Sequence, residues 1–207
     1  PLIWGGSPAV MDMKHGTTPM GAIETMMINL GDVEMGKFFN MPTHAYMGLS
    51  DSKVPDEQAG FEAGMGSLLA GLAGINMISG PGMLDFESTQ SIEKLLIDNE
   101  IAGMVKRLVQ GIEDHGTPFA LEILKDYEES EELLSHPTTL KLFRKELFFP
   151  SPIVDRKTRD AWKAAGSKSA RKRAKDMASE LAKKAPIKPI DDKLLKELDD
   201  ITNKHLM

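Results

Sequence analysis

Ser50-Asp-Ser-Lys-Val-Pro-Asp-Glu-Gln-Ala-Gly-Phe-Glu62 is the stretch on which the chain passes from strand to helix. The apolar run Pro42 to Leu49 leads into it, and a small-residue helix over about Gln58 to Gly74 leads out. Pro55 stiffens the turn; Asp51, Lys53, Asp56 and Glu57 charge it. Strand, polar loop, helix is the order of a βα unit, and such folds carry their chemistry in the loop at the carboxyl end of the strand. The same residues also read as a solvated loop whose Asp56 caps the helix, and both readings stand at this point.

Upstream, Leu2-Ile-Trp-Gly-Gly6 reads as a short buried strand, followed by a polar loop to Thr17. Thr18 then reads as the cap of a helix with Pro19 at its first position. Met20, Ile23, Met27 and Leu30 give that helix one apolar face. It ends near Phe39-Asn40, because Pro42 forbids continuation. Downstream, Phe61, Met65, Leu68, Leu69 and Leu72 predict the core face of the next helix, with Ala63, Gly64, Gly66, Ala70 and Gly71 allowing close packing. Ile75 to Ser79 is the third strand, opening into Gly80-Pro-Gly82, a turn where backbone can approach a ligand. A long helix is predicted over about Phe86 to Ile112, its core face marked by Ile92, Leu95, Leu96, Ile101, Val105 and Leu108. Three such β-loop-α repeats imply a parallel sheet or barrel.

After Gly116 the alternation stops. Thr117-Pro118 predicts a short helix, Ser130 caps another, and Thr138 or Thr139 caps a third that runs to Leu147. From Asp155 the chain is helical and charged, and Lys168 to Lys184 is basic, with Arg171, Lys172, Arg173 and Lys175 clustered. That helix reads as an exposed one gripping the α/β part or docking an acidic partner; a nucleic-acid patch is the sharper alternative. Asp191 to His205 is a final amphipathic helix. The expected division is residues 1–115 for the βα units and 116–207 for a helical region.

The 207 residues suffice for a real core, and 41% hydrophobic with 27% charged residues describes a globular chain. A net charge of −6 disfavours general nucleic-acid binding. Without cysteine there are no disulfides or thiolate metal sites, which fits a cytoplasmic protein. No apolar run reaches the roughly 20 residues of a membrane span. The opening Pro-Leu-Ile-Trp lacks the basic start of a signal peptide, and a chain opening on Pro1 directly in an apolar run reads as a piece of a longer protein. The five histidines are dispersed, so no zinc site is expected. Gly80-Pro-Gly82 is no phosphate loop, and no Gly-x-Ser-x-Gly is present.

Asp51 to Glu62 resembles the signature of the trimethylamine methyltransferase family, corrinoid-dependent enzymes that also act on glycine betaine and related quaternary amines. Matches continue in order: Gly80-Pro-Gly-Met-Leu-Asp85, Ser91 to Ile101, His136-Pro-Thr-Thr139 with Arg144-Lys-Glu146, and Asp155-Arg156. The resemblance implies the carboxyl-terminal part of a (βα)8 TIM barrel with a helical extension. The missing amino-terminal part of the same protein then becomes a partner. It implies transfer of a methyl group to cobalt(I) of a corrinoid (cobalamin) carried by a cognate partner protein, none being bound tightly by this chain. Members acting on trimethylamine carry pyrrolysine shortly before the signature, near Leu49. Here Tyr46-Met-Gly-Leu49 holds only standard residues, so a quaternary amine such as glycine betaine is the expected substrate. Trimethylamine or another methylated amine, and an inactive homologue that binds betaines or the corrinoid protein, are the alternatives. The number of subunits is open, a homo-oligomer included.

In a parallel arrangement the loops Ser7–Gly16, Gly48–Glu57 and Gly80–Glu87 converge on one mouth. A quaternary ammonium wants aromatic faces and a negative charge, which Trp4, Tyr46, Asp51 and Asp85 can supply. A betaine carboxylate wants a cation or donor, from Lys53, His15 or His44. Each has a plainer role: Trp4 and Tyr46 in the core, Asp85 as a helix cap, Lys53 paired with Asp51 or Asp56. Glu93, Asp98 and Glu100 read as ion-pair residues.

Overall fold

The computed structural model describes residues 2–116, 121–130, 132–184 and 190–205. Strands β1 (Trp4–Gly6), β2 (Thr43–Tyr46) and β3 (Met77–Ser79) form a parallel sheet in the order β1-β2-β3. Helix α1 (Ile23–Phe38) joins the first two strands, α2 (Glu57–Leu72) joins the second and third, and α3 (Ile92–Val109) follows the third. The βα rhythm and the α/β class are therefore present. His44 lies between Gly5 and Met77, and Tyr46 lies opposite Ser79.

Alternation along β2 divides the sheet into two faces. Ala45 and, just beyond the strand, Met47 face the helices, where they join Met26, Val33, Ala70 and Ile75 in the core. His44 and Tyr46 take the other face. β1 reads as a buried strand in sequence, but it is an edge strand and Leu2 and Ile3 are exposed.

The helix faces correct the sequence expectations. In α2 the buried residues are Ala59, Ala63, Gly66, Ser67 and Ala70, while Phe61, Met65 and Leu72 point outward. The reason is distance. A methyl group on Gly66 would lie 1.8 Å from the carbonyl oxygen of Met47, so the strand admits only a small-residue face. In α1, Met26 and Val33 are buried with Thr25 and Asn29, whereas Ile23 and Met27 are exposed. In α3 the buried residues are Lys94, Asp98 and Glu100, and Ile92, Leu95 and Leu108 are exposed. The Lys94 ammonium sits 2.5 Å from Asp98 Oδ2 and donates to the carbonyl of Gly48 at 3.3 Å; Asp98 Oδ2 also accepts the Gly82 N–H at 2.6 Å. This pair fastens the ends of β2 and β3 to α3, which is why charge replaces oil on that face.

Helix starts shift as well. α1 begins after Ala22, not Thr18, because Met20 and Gly21 donate their N–H groups to Asp51 instead. α3 begins after Ser91, whose side chain accepts from Lys94 N–H. Residues expected in its first turn form an antiparallel hairpin, β4 (Met83–Leu84) with β5 (Thr89–Gln90). Asp85, Phe86 and Glu87 turn that hairpin with φ of 51°, 54° and 71°, so Asp85 is no helix cap.

Beyond α3 come α4 (Leu121–Ser130), α5 (Pro137–Glu146), α6 (Arg159–Ala164), α7 (Ala170–Ala182) and α8 (Asp192–His205). The expected start at Thr117-Pro118 lies outside the described residues. Ser130 ends α4 rather than capping the next helix, and His136 caps α5 by accepting the Thr138 N–H, displacing Thr138 or Thr139 from that role. α7 packs on α3 and buries Ala174 completely. No described helix is long and apolar enough to cross a membrane.

Candidate functional site

The loop after β1 folds over the loop after β2 through one carboxylate. Asp51 Oδ1 accepts the Met20 N–H at 2.9 Å and Oδ2 the Gly21 N–H at 2.8 Å. Glu62, one turn into α2 from Gln58, reaches back to the same loop. Its Oε2 accepts from the Ser50 hydroxyl at 2.6 Å and from Asp51 N–H at 2.8 Å, and its Oε1 from the Gln58 amide at 2.8 Å. The two carboxylates meet at Gly21. A methyl group there would lie 2.6 Å from Glu62 Oε2 and 3.2 Å from Asp51 Oδ2, so any side chain at this crossing would push the Glu62 carboxylate out of place.

Burial pushes the Asp51 carboxyl above the usual range; the Gly21 and Met20 amides pull it back, the charge of Glu62 adds to the rise, and Lys53 opposes it. Glu87 is raised too, by burial and then by Asp51. Negative charge is thus concentrated where water is partly excluded.

Lys53 ties in the third loop. Its ammonium donates to the Asp51 carbonyl at 2.7 Å, lies 3.8 Å from Asp85 Oδ1 and sits 4.2 Å from the Phe86 ring centroid. Asp56, the other expected partner, instead caps α2 by accepting the Ala59 N–H. The three loops enclose an open cavity of about 910 Å³. Asp12, Glu24, Asp51 and Glu62 line it, with His15, Lys53, Gln58, the Phe86 ring and the apolar Val10, Met11 and Ala22.

Of the residues singled out in sequence, His15, Asp51 and Lys53 line this cavity. His15 is held by Asp12 at 2.9 Å. Asp85 joins through Lys53. His44 and Tyr46 sit together on the other sheet face, rings 5.1 Å apart and edge-on, with His44 Nε2 2.8 Å from the Ser79 hydroxyl. Trp4 is at the amino end of β1, where its indole N–H donates to Asp32 at 3.0 Å and its ring lies 5.8 Å from Phe39. Sequence reasoning passed over Glu24, Gln58, Glu62, Phe86 and the Met20 and Gly21 amides. The available signal was the i, i+4 pair Gln58 and Glu62 at the start of a helix that opens on the mouth.

Among the described residues Glu113, His115 and Glu146 could offer three ligand atoms to a metal. Cations already serve them: Arg107 holds Glu146 at 2.9 Å and Lys145 holds Glu113 at 2.5 Å.

A family model described as trimethylamine methyltransferase (MTTB) matches residues 1–206. The trimethylamine methyltransferase of Methanosarcina barkeri is 36% identical over 205 residues, 98% of this chain and 41% of that protein. That of Desulfitobacterium hafniense is 34% identical over 201 residues, 97% of this chain and 40% of the relative. A glycine betaine methyltransferase of Desulfitobacterium hafniense is 29% identical over 163 residues, 78% of this chain and 34% of that protein. The chain spans about 40% of the length of the curated trimethylamine relatives it matches.

Proposed function

Because the chain belongs to the trimethylamine methyltransferase family, we propose that the whole protein moves a methyl group from a quaternary amine, such as glycine betaine, to cobalt(I) of a corrinoid held by a partner protein. The corrinoid is then the methyl acceptor, a substrate brought to the mouth. The C–N bond breaks, the methyl group leaves for the acceptor, and a neutral tertiary amine remains. This chain's task is to bind the amine, aim its methyl group and limit water.

The observation that carries the reading is the cavity itself: Asp12, Glu24, Asp51 and Glu62 line it together with the Phe86 ring, which already holds one cation, the Lys53 ammonium, at 4.2 Å. Negative charge beside an aromatic face suits a permanent cation. Lys53 and His15, on the same wall, suit the carboxylate of a betaine. His44, Tyr46 and Asp85 extend the candidate binding set along the sheet's open face and hairpin, and Trp4 supports α1. A quaternary ammonium already carries the charge that makes its amine a leaving group, so no general acid is needed. Leu49, near the expected pyrrolysine position, is an ordinary side chain in a fully buried place, which supports a substrate other than trimethylamine.

The parallel order β1-β2-β3, with helices packed in succession, supports assigning residues 1–115 to the last units of a (βα)8 barrel and 116–207 to a helical region. The rest of the polypeptide would close that barrel. A second reading, trimethylamine as substrate, is favoured by the relatives at 34–36% identity that carry that name. The full-length protein and its corrinoid protein decide between them. Cobalt spectroscopy should show cobalt(I) converted to methylcobalt(III) with glycine betaine, and product analysis should show dimethylglycine. Turnover of trimethylamine but not betaines would establish the second reading, and no methylation with any amine would leave a binding homologue.

A further inference from the structure

We propose that the basic lobe of residues 151–184 is the docking surface for an acidic protein, the carrier that brings the methyl acceptor to the mouth. The identity of the carrier rests on the functional reading above; the surface rests on charge and position.

Residues 151–184 hold eleven lysines and arginines against four acids, a net +7, where the whole chain is −6 and the remainder is therefore −13. So strong a segregation within one chain is a field, not scatter. Its position follows from the segment that leads to it. Glu146 binds Arg107 on α3, Phe148 lies against Gly103 one turn earlier, and Ser151 donates its N–H to Glu100 at 3.0 Å. The chain thus climbs α3 from its last turn toward its first, the end at which β3 opens into the hairpin. There Arg173 donates to the Ile153 carbonyl at 2.9 Å, and Glu93 in the first turn of α3 feels the charges of Lys175 and Arg171. The basic lobe consequently stands at the same end of the molecule as the loops around Asp51.

Some of its cations serve the fold. Lys168 and Lys172 hold Asp176 at 2.9 and 2.7 Å, and Arg156 donates to the Phe148 carbonyl at 2.8 Å. Others are left over. Lys157 and Lys163 make no side-chain hydrogen bond or ion pair among the described residues, and Arg171 and Lys175 have only the through-space pull of Glu93. Between α6 and α7 a cavity of about 880 Å³ presents Trp162 and Met177, with Lys157 and the engaged Arg156, Lys168, Lys172 and Arg173 on its wall; Lys163, Arg171 and Lys175 belong to the same lobe outside that wall. An apolar contact set within a lobe of net positive charge fits an acidic protein surface. A nucleic acid fits less well, because Asp155, Asp160, Asp176 and Glu180 interrupt the lobe and the rest of the chain would repel an extended polyanion.

The test uses the full-length protein with its cognate corrinoid protein and the variant K157E/K163E/R171E/K175E. Calorimetry should show affinity for the carrier falling on the order of 100-fold, and the wild-type affinity should fall with added salt. The KM for the carrier should rise in parallel, while the KM for the amine and the rate with free cobalamin as acceptor stay unchanged. The charge-keeping variant K157R/K163R/R171K/K175R should bind as wild type does. Unaltered carrier affinity in the reversed variant overturns the proposal, as does an equal loss with free cobalamin, which would mean damage to the site. Salt-sensitive binding of a short RNA duplex in place of the carrier overturns it too. Wild-type protein that binds the carrier but methylates neither acceptor would refute the functional reading alone.

Discussion

Asp51 is in effect an anion bound by the loop after β1, with each oxygen taking one backbone N–H. Asparagine at this position keeps one acceptor and adds a donor, so one amide loses its partner. Asp51→Asn should therefore destabilise the full-length protein by about 1–3 kcal/mol, read from chemical denaturation, and, on the function proposed above, depress methyl transfer further than stability alone explains. The pH dependence has a definite sign. The folded carboxyl titrates above its ordinary value of 3.8, so its stabilising contribution is complete below that pH and is lost as pH rises through the folded value. The melting-temperature gap between wild type and Asp51→Asn should shrink as pH rises from about 3.8 and then level off; a gap that widens would contradict the burial of this charge. The Lys94–Asp98 pair is the other residue-scale test. Lys94→Met strands a buried carboxylate and should cost about 3–5 kcal/mol, part of which Asp98→Leu restores in the double variant. A single-variant cost below about 1 kcal/mol would show that the pair does not hold the strand ends.

At the scale of elements, α2 is the informative helix. Its inward face is built of small residues because Met47 and Met26 come within touching distance of Gly66. Gly66→Ala should cost about 3 kcal/mol, since the contact is with backbone that cannot swing aside. Gly60 and Gly64 have open space where a side chain would go. Gly60→Ala should stabilise the helix by about 0.5–1 kcal/mol if that space stays open in the full-length protein. A loss at Gly60 would reveal a neighbour packed on this face. Comparing the thermal shifts of the two alanine variants separates the buried stripe from the outward one.

At the scale of the whole molecule, the outward faces of α1 and α2 are unusually apolar. Phe38 is 79% exposed, Phe61 65%, Met27 63% and Leu72 63%, and β1 presents a free edge. Such patches bury themselves against something. The chain spans about 40% of its relatives' length, so residues 1–207 expressed alone should self-associate and bind a hydrophobic dye, whereas the full-length protein should do neither. A monodisperse, dye-silent isolated chain would show that these faces are tolerated in water. The cavity around Asp51 is open as well, lined here by the loops after β1, β2 and β3.

What the amino-acid sequence determined on its own was carried by near neighbours along the chain, although spacing alone assigned part of the equally local hairpin from Met83 to Gln90 to the start of α3. Alternating apolar runs and polar loops specified three βα units and their parallel sense, and Asp56 at the start of α2 was legible because an N-cap needs only the next three residues. The signature loop pointed to Asp51 and Lys53 and, through its resemblance, to the family. Only the tertiary structure decided which face each helix buries, because that depends on how closely the strand approaches. Spacing alone favoured Phe61 and Ile92, where contact chose Gly66 and Lys94. It also set the true start of α1, since the amides of Met20 and Gly21 are captured by a carboxylate about 30 residues away. Trp4 turned to Asp32, and Glu62 joined Asp51, for the same reason: charged and hydrogen-bonding groups take the partners that folding brings near, and chain separation does not encode that distance.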